Sequence, residues 1–213
     1  MAGCCNARGC DDYFGSRFAS RMAKRYRKRG LDKTARQIVG FLESRGVGGA
    51  SVLEIGGGVG EIQLELLKRG ATRTTNLELS AAYDPEATRL AKEAALERRI
   101  ERRLHDIAAD PEGVERADVV VLNRVVCCYP DYERLLGAAA DHARRLLVFS
   151  HPPRNRLSRL IVALENAGFR LRGSEFRVFT HPPEAMIGVV EQRGLRHTFT
   201  HRRLVWQVAG LQR

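Results

Sequence analysis

The chain has 213 residues, 44% hydrophobic and 29% charged, with a formal net charge of +11. That length suffices for one α/β domain with a buried core, and the ordinary apolar fraction excludes wholesale disorder. The most apolar run, Val119 to Tyr129, is interrupted by Asn123 and Arg124 and is shorter than the roughly 18 residues a membrane-spanning helix needs. With neither a signal-peptide pattern nor a Met-Gly start in the first residues, the expectation is a soluble, cytoplasmic protein without a membrane span.

Residues 1–30 read as a polar, basic leader punctuated by Tyr13, Phe14, Phe18 and Tyr26, and Gly30 ends it. Between Arg17 and Arg36, nine basic residues stand against the single acid Asp32. Such a run is either a solvated helical face or a patch that attracts polyanions and acidic small molecules. Next, Leu31, Ala35, Ile38 and Leu42 recur at helical spacing and predict an amphipathic helix over 31–44. Gly46-Val-Gly-Gly49 breaks it. Strands are then expected at 51–55, 73–78, 100–105, 118–122 and 145–150, alternating with helices at 60–69, 85–97 and 132–143. Asp84 reads as the cap of the second of these helices, with Pro85 in its first turn. Helices near 155–167 and 183–192 and strands near 196–200 and 204–209 complete the chain. Alternation of this kind argues for a parallel sheet with crossover helices. The economical division is a lid over 1–30 and one domain over 31–213.

Val52-Leu-Glu-Ile-Gly-Gly-Gly-Val-Gly60 is the most informative stretch. A short apolar strand runs through Glu54 into glycines and then directly into a helix. Without a Cβ, the backbone can turn sharply and lie against a ligand. In a doubly wound sheet this turn sits at the carboxyl edge of the strands, where nucleotide-like ligands bind. Glu61 stands where a dinucleotide fingerprint wants glycine or alanine, and Glu54 precedes the glycines. Two acids would repel a pyrophosphate and welcome a sulfonium with its ammonium group, so charge favours S-adenosylmethionine over NAD.

Glu54-x-Gly56-x-Gly58-x-Gly60 resembles the first motif of class I S-adenosylmethionine-dependent methyltransferases, and the resemblance spans roughly residues 35–211. It implies a Rossmann-like, doubly wound, seven-stranded and mostly parallel sheet with one antiparallel strand and an N-terminal helical lid. On that resemblance Gly56, Gly58 and Gly60 shape the cofactor loop and Glu54 helps position the methionine end. Glu78, eighteen residues beyond Gly60, holds the ribose with Leu79 beside it. Asp106, followed by Ile107, reads the adenine amino group, and Asn123 approaches the methionine moiety and the methyl group. Taken alone, Glu78 also reads as a solvated strand end and Asp106 as a helix cap. Asp12-Tyr13-Phe14, Cys128-Tyr129-Pro130 and Ser150-His151-Pro152 are similar to the magnesium-protoporphyrin and ubiquinone-type small-molecule O-methyltransferases, which implies an acceptor pocket roofed by residues 10–30.

For the acceptor side, His151 at the end of the fifth strand is the expected base, Tyr129 an orienting group and Asn123 a further catalytic candidate; a carboxylate acceptor would need no base. Tyr13, Tyr26, Cys127 and Cys128 are the expected acceptor-binding residues. His151 stacked on Pro152, and Tyr129 as a packing aromatic, are the structural alternatives. O-methylation of a small molecule is favoured, with nitrogen or sulfur as alternatives. Asn123-Arg124-Val125-Val126 does not resemble the Asn/Asp-Pro-Pro-aromatic motif of base N-methyltransferases, so nucleic acid is a disfavoured partner, kept open only by the basic leader. The five cysteines fall in two clusters, Cys4, Cys5 and Cys10, and Cys127 and Cys128. They read as free thiols, or as ligands of a soft metal or metalloid in a thiol-binding protein built on this scaffold.

Overall fold

The computed structural model describes residues 13–213. Helix α1 (Ser16–Arg29) carries no acid in its first turn and ends on Gly30 in a left-handed φ of 66°. Helix α2 (Lys33–Ser44) starts on Asp32, whose side chain accepts the Ala35 amide at 2.9 Å. Strand β1 (Ser51–Ile55), helix α3 (Glu61–Lys68), strand β2 (Arg73–Glu78), helix α4 (Asp84–Glu93) and strand β3 (Ile100–Leu104) follow. Then come strand β4 (Ala117–Leu122), helix α5 (Tyr132–His142), strand β5 (Ala143–His151), helices α6 (Arg156–Leu171) and α7 (Pro183–Glu191), and strands β6 (Arg196–His201) and β7 (Gln207–Gln212).

The seven strands form one sheet in the order β3-β2-β1-β4-β5-β7-β6, and only β7 pairs antiparallel to its neighbours. This is a Rossmann-like α/β sandwich. The alternating side chains of β4 show why both faces are covered. Val119 and Val121 enter the layer of Ile38, Leu42, Ile62 and Leu66 from α2 and α3, whereas Val120 and Leu122 enter the layer of Leu135, Leu136, Met186 and Val190 from α5 and α7. The chain leaves β1 toward β2 on one side, and β4 joins it on the other. Their carboxyl ends therefore diverge at the topological switch point, where the sheet opens a crevice.

Three local expectations are corrected. Asp84 does not cap α4; it lies inside the helix, the N-cap is Tyr83, and the Asp84 carboxylate instead meets the Arg102 guanidinium at 3.0 Å. That helix stops at Glu93, four residues before its expected end, because Ala95 adopts a left-handed φ of 54°. The last strand begins at Gln207 rather than 204, since residues 202–206 make the connection from β6 and leave Leu204 and Val205 exposed. No helix among the described residues is long and apolar enough to cross a membrane.

Candidate active site

A cavity of about 150 Å³ opens at the carboxyl edge of β1, β2, β3 and β4, under α1. The loop after β1 forms its floor. Gly56 takes a φ of 64°, and a Cβ there would lie 2.5 Å from Val125 Cγ2. At Gly57 a Cβ would lie 2.2 Å from Asn76 Nδ2, so the loop has no room for side chains at either position. Gly60, with a φ of 82°, is the N-cap of α3 and turns the chain into the helix without lining the cavity.

Three buried carboxylates surround this loop. The Glu78 carboxylate accepts the Gly58 amide at 2.8 Å and the Leu79 amide at 2.9 Å, tying the glycines to the end of β2. Glu54 accepts the Gln63 amide at 3.2 Å. Glu61 faces Arg25 of α1 at 3.6 Å through Oε1, while its buried Oε2 has no hydrogen-bond partner. Burial raises all three above the ordinary carboxylate range, Glu54 furthest, and the Glu61 charge raises Glu54 further. Arg102 of β3 opposes this by pulling Glu54 and Glu78 back down, and it donates to the Gly58 carbonyl at 3.1 Å.

The far wall holds Asp106, Ile107 and His105 beyond β3, with Leu79 beyond β2. Asp106 Oδ1 accepts the Ala108 amide at 3.0 Å, and the Tyr129 hydroxyl donates to both Asp106 oxygens at 3.1 and 3.2 Å. Asn123 and Arg124 close the side beyond β4. Asn123 Oδ1 accepts from Ser150 Oγ at 2.9 Å, and the same Ser150 Oγ accepts the Arg124 amide at 2.8 Å. Arg124 has a left-handed φ of 62°, pairs with Asp32 at 2.6 Å and lies over the Trp206 ring at 5.0 Å. Phe14, Phe18 and Met22 of the α1 region form the roof.

The cavity thus gathers Glu54, Gly56, Gly58, Glu78, Leu79, Asp106, Ile107, Asn123, Cys128 and Tyr129. Other expected site residues stand elsewhere. Tyr26 donates to Glu65 Oε1 at 2.7 Å and receives the Lys68 ammonium on its ring; burial and that hydrogen bond push its pKa up to about 12. His151 is buried beside Phe149, 5.7 Å between ring centres, with Nδ1 3.0 Å from the Pro152 carbonyl. Burial holds its pKa below the ordinary histidine value, and it does not line the cavity. Cys127 is buried behind Cys128, the two sulfurs 3.6 Å apart. Tyr13 stacks on Phe176 at 4.7 Å, outside the cavity lining. Cys4, Cys5 and Cys10 lie outside the described residues; among those described, no group of three or more His, Cys, Asp or Glu side chains is arranged to hold a metal ion.

Sequence reasoning missed Arg102, Arg124 and Tyr83, and within the expected roof it did not single out Met22. Phe14, Phe18 and Met22 recur every four residues, a helical-face signal present in the leader. Arg102 is hidden in the sequence because it becomes relevant only through the pairing of β3 with β2, which sets it opposite Asn76.

Residues 19–198 match the family model described as a methyltransferase domain. The chain belongs to this methyltransferase-domain family. Its fold is similar to magnesium protoporphyrin IX methyltransferase from Synechocystis PCC 6803 with bound SAH, with a TM-score of 0.76 at 19% identity over 98% of this chain and 100% of that one. It is also similar to an O-methyltransferase family protein from Burkholderia thailandensis (TM-score 0.72, 19% identity, 98% of this chain and 64% of that one). A third similar structure is a putative sarcosine dimethylglycine methyltransferase from Galdieria sulphuraria (TM-score 0.70, 12% identity, 87% of each chain). No curated protein matches the chain by sequence.

Proposed function

We propose that this methyltransferase moves the methyl group of S-adenosylmethionine to a small-molecule acceptor, an oxygen by preference. The observation that carries the reading is the charge of the cradle: three buried acids around a loop with no side chains, one of them with an unpartnered oxygen in the cavity wall. A buried carboxylate oxygen without a donor is costly and calls for a cationic or N–H partner. The residues present fit the donor. Glu61 and Glu54 would meet its positive end, Glu78 its ribose and Asp106 its adenine, with Gly56 to Gly58 against the backbone of the ligand. When bound there, S-adenosylmethionine supplies an electrophilic methyl group on a sulfonium.

The chain's own part is binding and alignment, which supply much of the rate of an in-line displacement. Tyr129 holds the Asp106 carboxylate through both of its oxygens. Asn123 is fixed by Ser150. The α1 helix, with Phe18 and Met22 and with Phe14 just before it, serves as a lid that shields the cavity from water. Arg124 lines the cavity beside Asn123, and its buried Nε has no hydrogen-bond partner. It would attract an acidic acceptor, whose ionised oxygen needs no base, in keeping with a His151 that lies away from the cavity. Its calorimetric signature is direct: S-adenosylmethionine binds, NAD does not, and Glu61→Gln weakens both S-adenosylmethionine and S-adenosylhomocysteine, which share the ammonium group. Unchanged affinity for both ligands would contradict the role given to charge.

A further inference from the structure

Helix α6 has a face that the fold leaves uncovered. Leu157, Leu160, Ile161, Leu164 and Leu171 follow one another at helical spacing, and all are between 47% and 89% exposed. At 100° per residue these five fall within an arc of about 100°, the width of a core-facing stripe. They point away from the body. The opposite side of the helix is held by Asn166, which exchanges two hydrogen bonds with the backbone of Val178 at 2.8 and 2.9 Å, and by Phe169, the one buried residue of the helix. Scattered exposed leucines are ordinary; a contiguous row of this size on an otherwise polar surface marks an interaction face.

The charges around the row indicate its occupant. Arg156, Arg159 and Arg170 are exposed on the same helix, and Glu165 is its only acid. Residues 1–12 hold a single large apolar side chain, Met1, and cannot supply a matching stripe. An apolar row with Arg156 at its border, and with Arg159 and Arg170 exposed on the polar side of the helix, is the pattern of a helix lying in the plane of an anionic bilayer, with the apolar side chains among the acyl chains and the guanidinium groups reaching the phosphates. The segment just before the basic helix α1 adjoins the same element, because Tyr13 packs on Phe169 at 5.2 Å between ring centres. We infer that α6 is a peripheral membrane-docking element that binds anionic phospholipid surfaces.

The full chain is tested by flotation with vesicles of phosphatidylcholine alone and of phosphatidylcholine with phosphatidylglycerol in equal parts. The wild type is expected to float with the anionic vesicles, and added salt to weaken it. Leu160→Glu with Leu164→Glu should lower partitioning about tenfold or more, from the lost burial of two leucines. Arg156→Gln with Arg159→Gln should lower it by about fivefold per charge on anionic vesicles only. Leu104→Glu, at an exposed leucine on the β3 edge, is the control that should change nothing. Melting temperature and donor affinity should match the wild type in all variants, which separates this test from the methyltransferase reading. Absence of flotation with anionic vesicles at low salt, or flotation indifferent to the leucine pair, would overturn the inference. So would a dimer in sedimentation that the leucine pair disrupts while vesicles go unbound, or RNA retention that the arginine pair abolishes in a chain that ignores vesicles.

Discussion

Replacing Glu78 separates two functions of one carboxylate. In the free protein it closes the glycine loop by accepting the buried Gly58 amide and the Leu79 amide. Glu78→Ala leaves the Gly58 N–H buried without a partner, which costs about 1–3 kcal/mol of stability. Glu78→Gln keeps one acceptor oxygen and sheds a charge that burial disfavours, but its NH2 would face the second amide, so it should cost less stability than alanine without matching the wild type. For the donor the ordering differs. Hydrogen bonds to a charged group contribute about 1.5–3 kcal/mol, so Glu78→Ala should weaken S-adenosylmethionine roughly tenfold to a hundredfold. Glu78→Gln should still lose several-fold, since an amide accepts ribose hydroxyls less well than a carboxylate. Urea unfolding reads the first effect and calorimetry the second. Donor affinity unchanged in both variants would refute the assignment of Glu78 to the ligand, and unchanged stability in the alanine variant would refute its role in the loop.

Gly56→Ala places a methyl group 2.5 Å from Val125 Cγ2 at a φ of 64°, and should cost about 2 kcal/mol or more and abolish donor binding, whereas Gly188→Ala, with nothing within 4 Å, should do neither. Because Glu54, Glu61 and Glu78 are all raised in the free protein, a bound cation should drive protons off them. Affinity should therefore fall as pH drops, and calorimetry in buffers of different ionisation heat should register proton release; heats that do not depend on the buffer would argue against it. Tyr26→Phe should cost about 1 kcal/mol in thermal unfolding and leave donor affinity and turnover intact, because its hydroxyl serves Glu65 rather than the cavity. Burial alone would raise Glu65, but hydrogen bonds from Lys68, Arg69 and Tyr26 hold it down at about 2. Its stabilising share should be complete above the unfolded value of about 4.3 and disappear as pH falls toward 2, which acid-denaturation curves of Glu65→Gln would test.

Much of this molecule is legible in its amino-acid sequence, for local reasons. Apolar runs such as Val119 to Leu122 belong to strands covered on both faces, and the glycines after β1 announce a backbone that must approach something closely. Glu78 and Asp106 are readable because they sit at strand ends, whose position follows from the strands themselves. The acceptor side is not, because it depends on which way a side chain points. His151 ends β5, as expected, yet the two-residue period puts it on the Phe149 side, while Ser150 faces Asn123 and Arg124. Tyr26 belongs to the same helix as Phe18 and Met22 of the roof, but one turn beyond Met22 it has passed the cavity and reached α3. Tyr129 reads as an acceptor group from its neighbours in the chain and instead meets Asp106, a contact between segments 23 residues apart that no local pattern encodes.

The most direct test is a crystal of the full chain soaked separately with S-adenosylhomocysteine and with NAD. The nucleoside should lie over Gly56 to Gly58, its amino-acid end toward Glu61 and its adenine toward Asp106, and the dinucleotide should be absent. Density for NAD in that crevice, with none for the sulfur ligand, would contradict it.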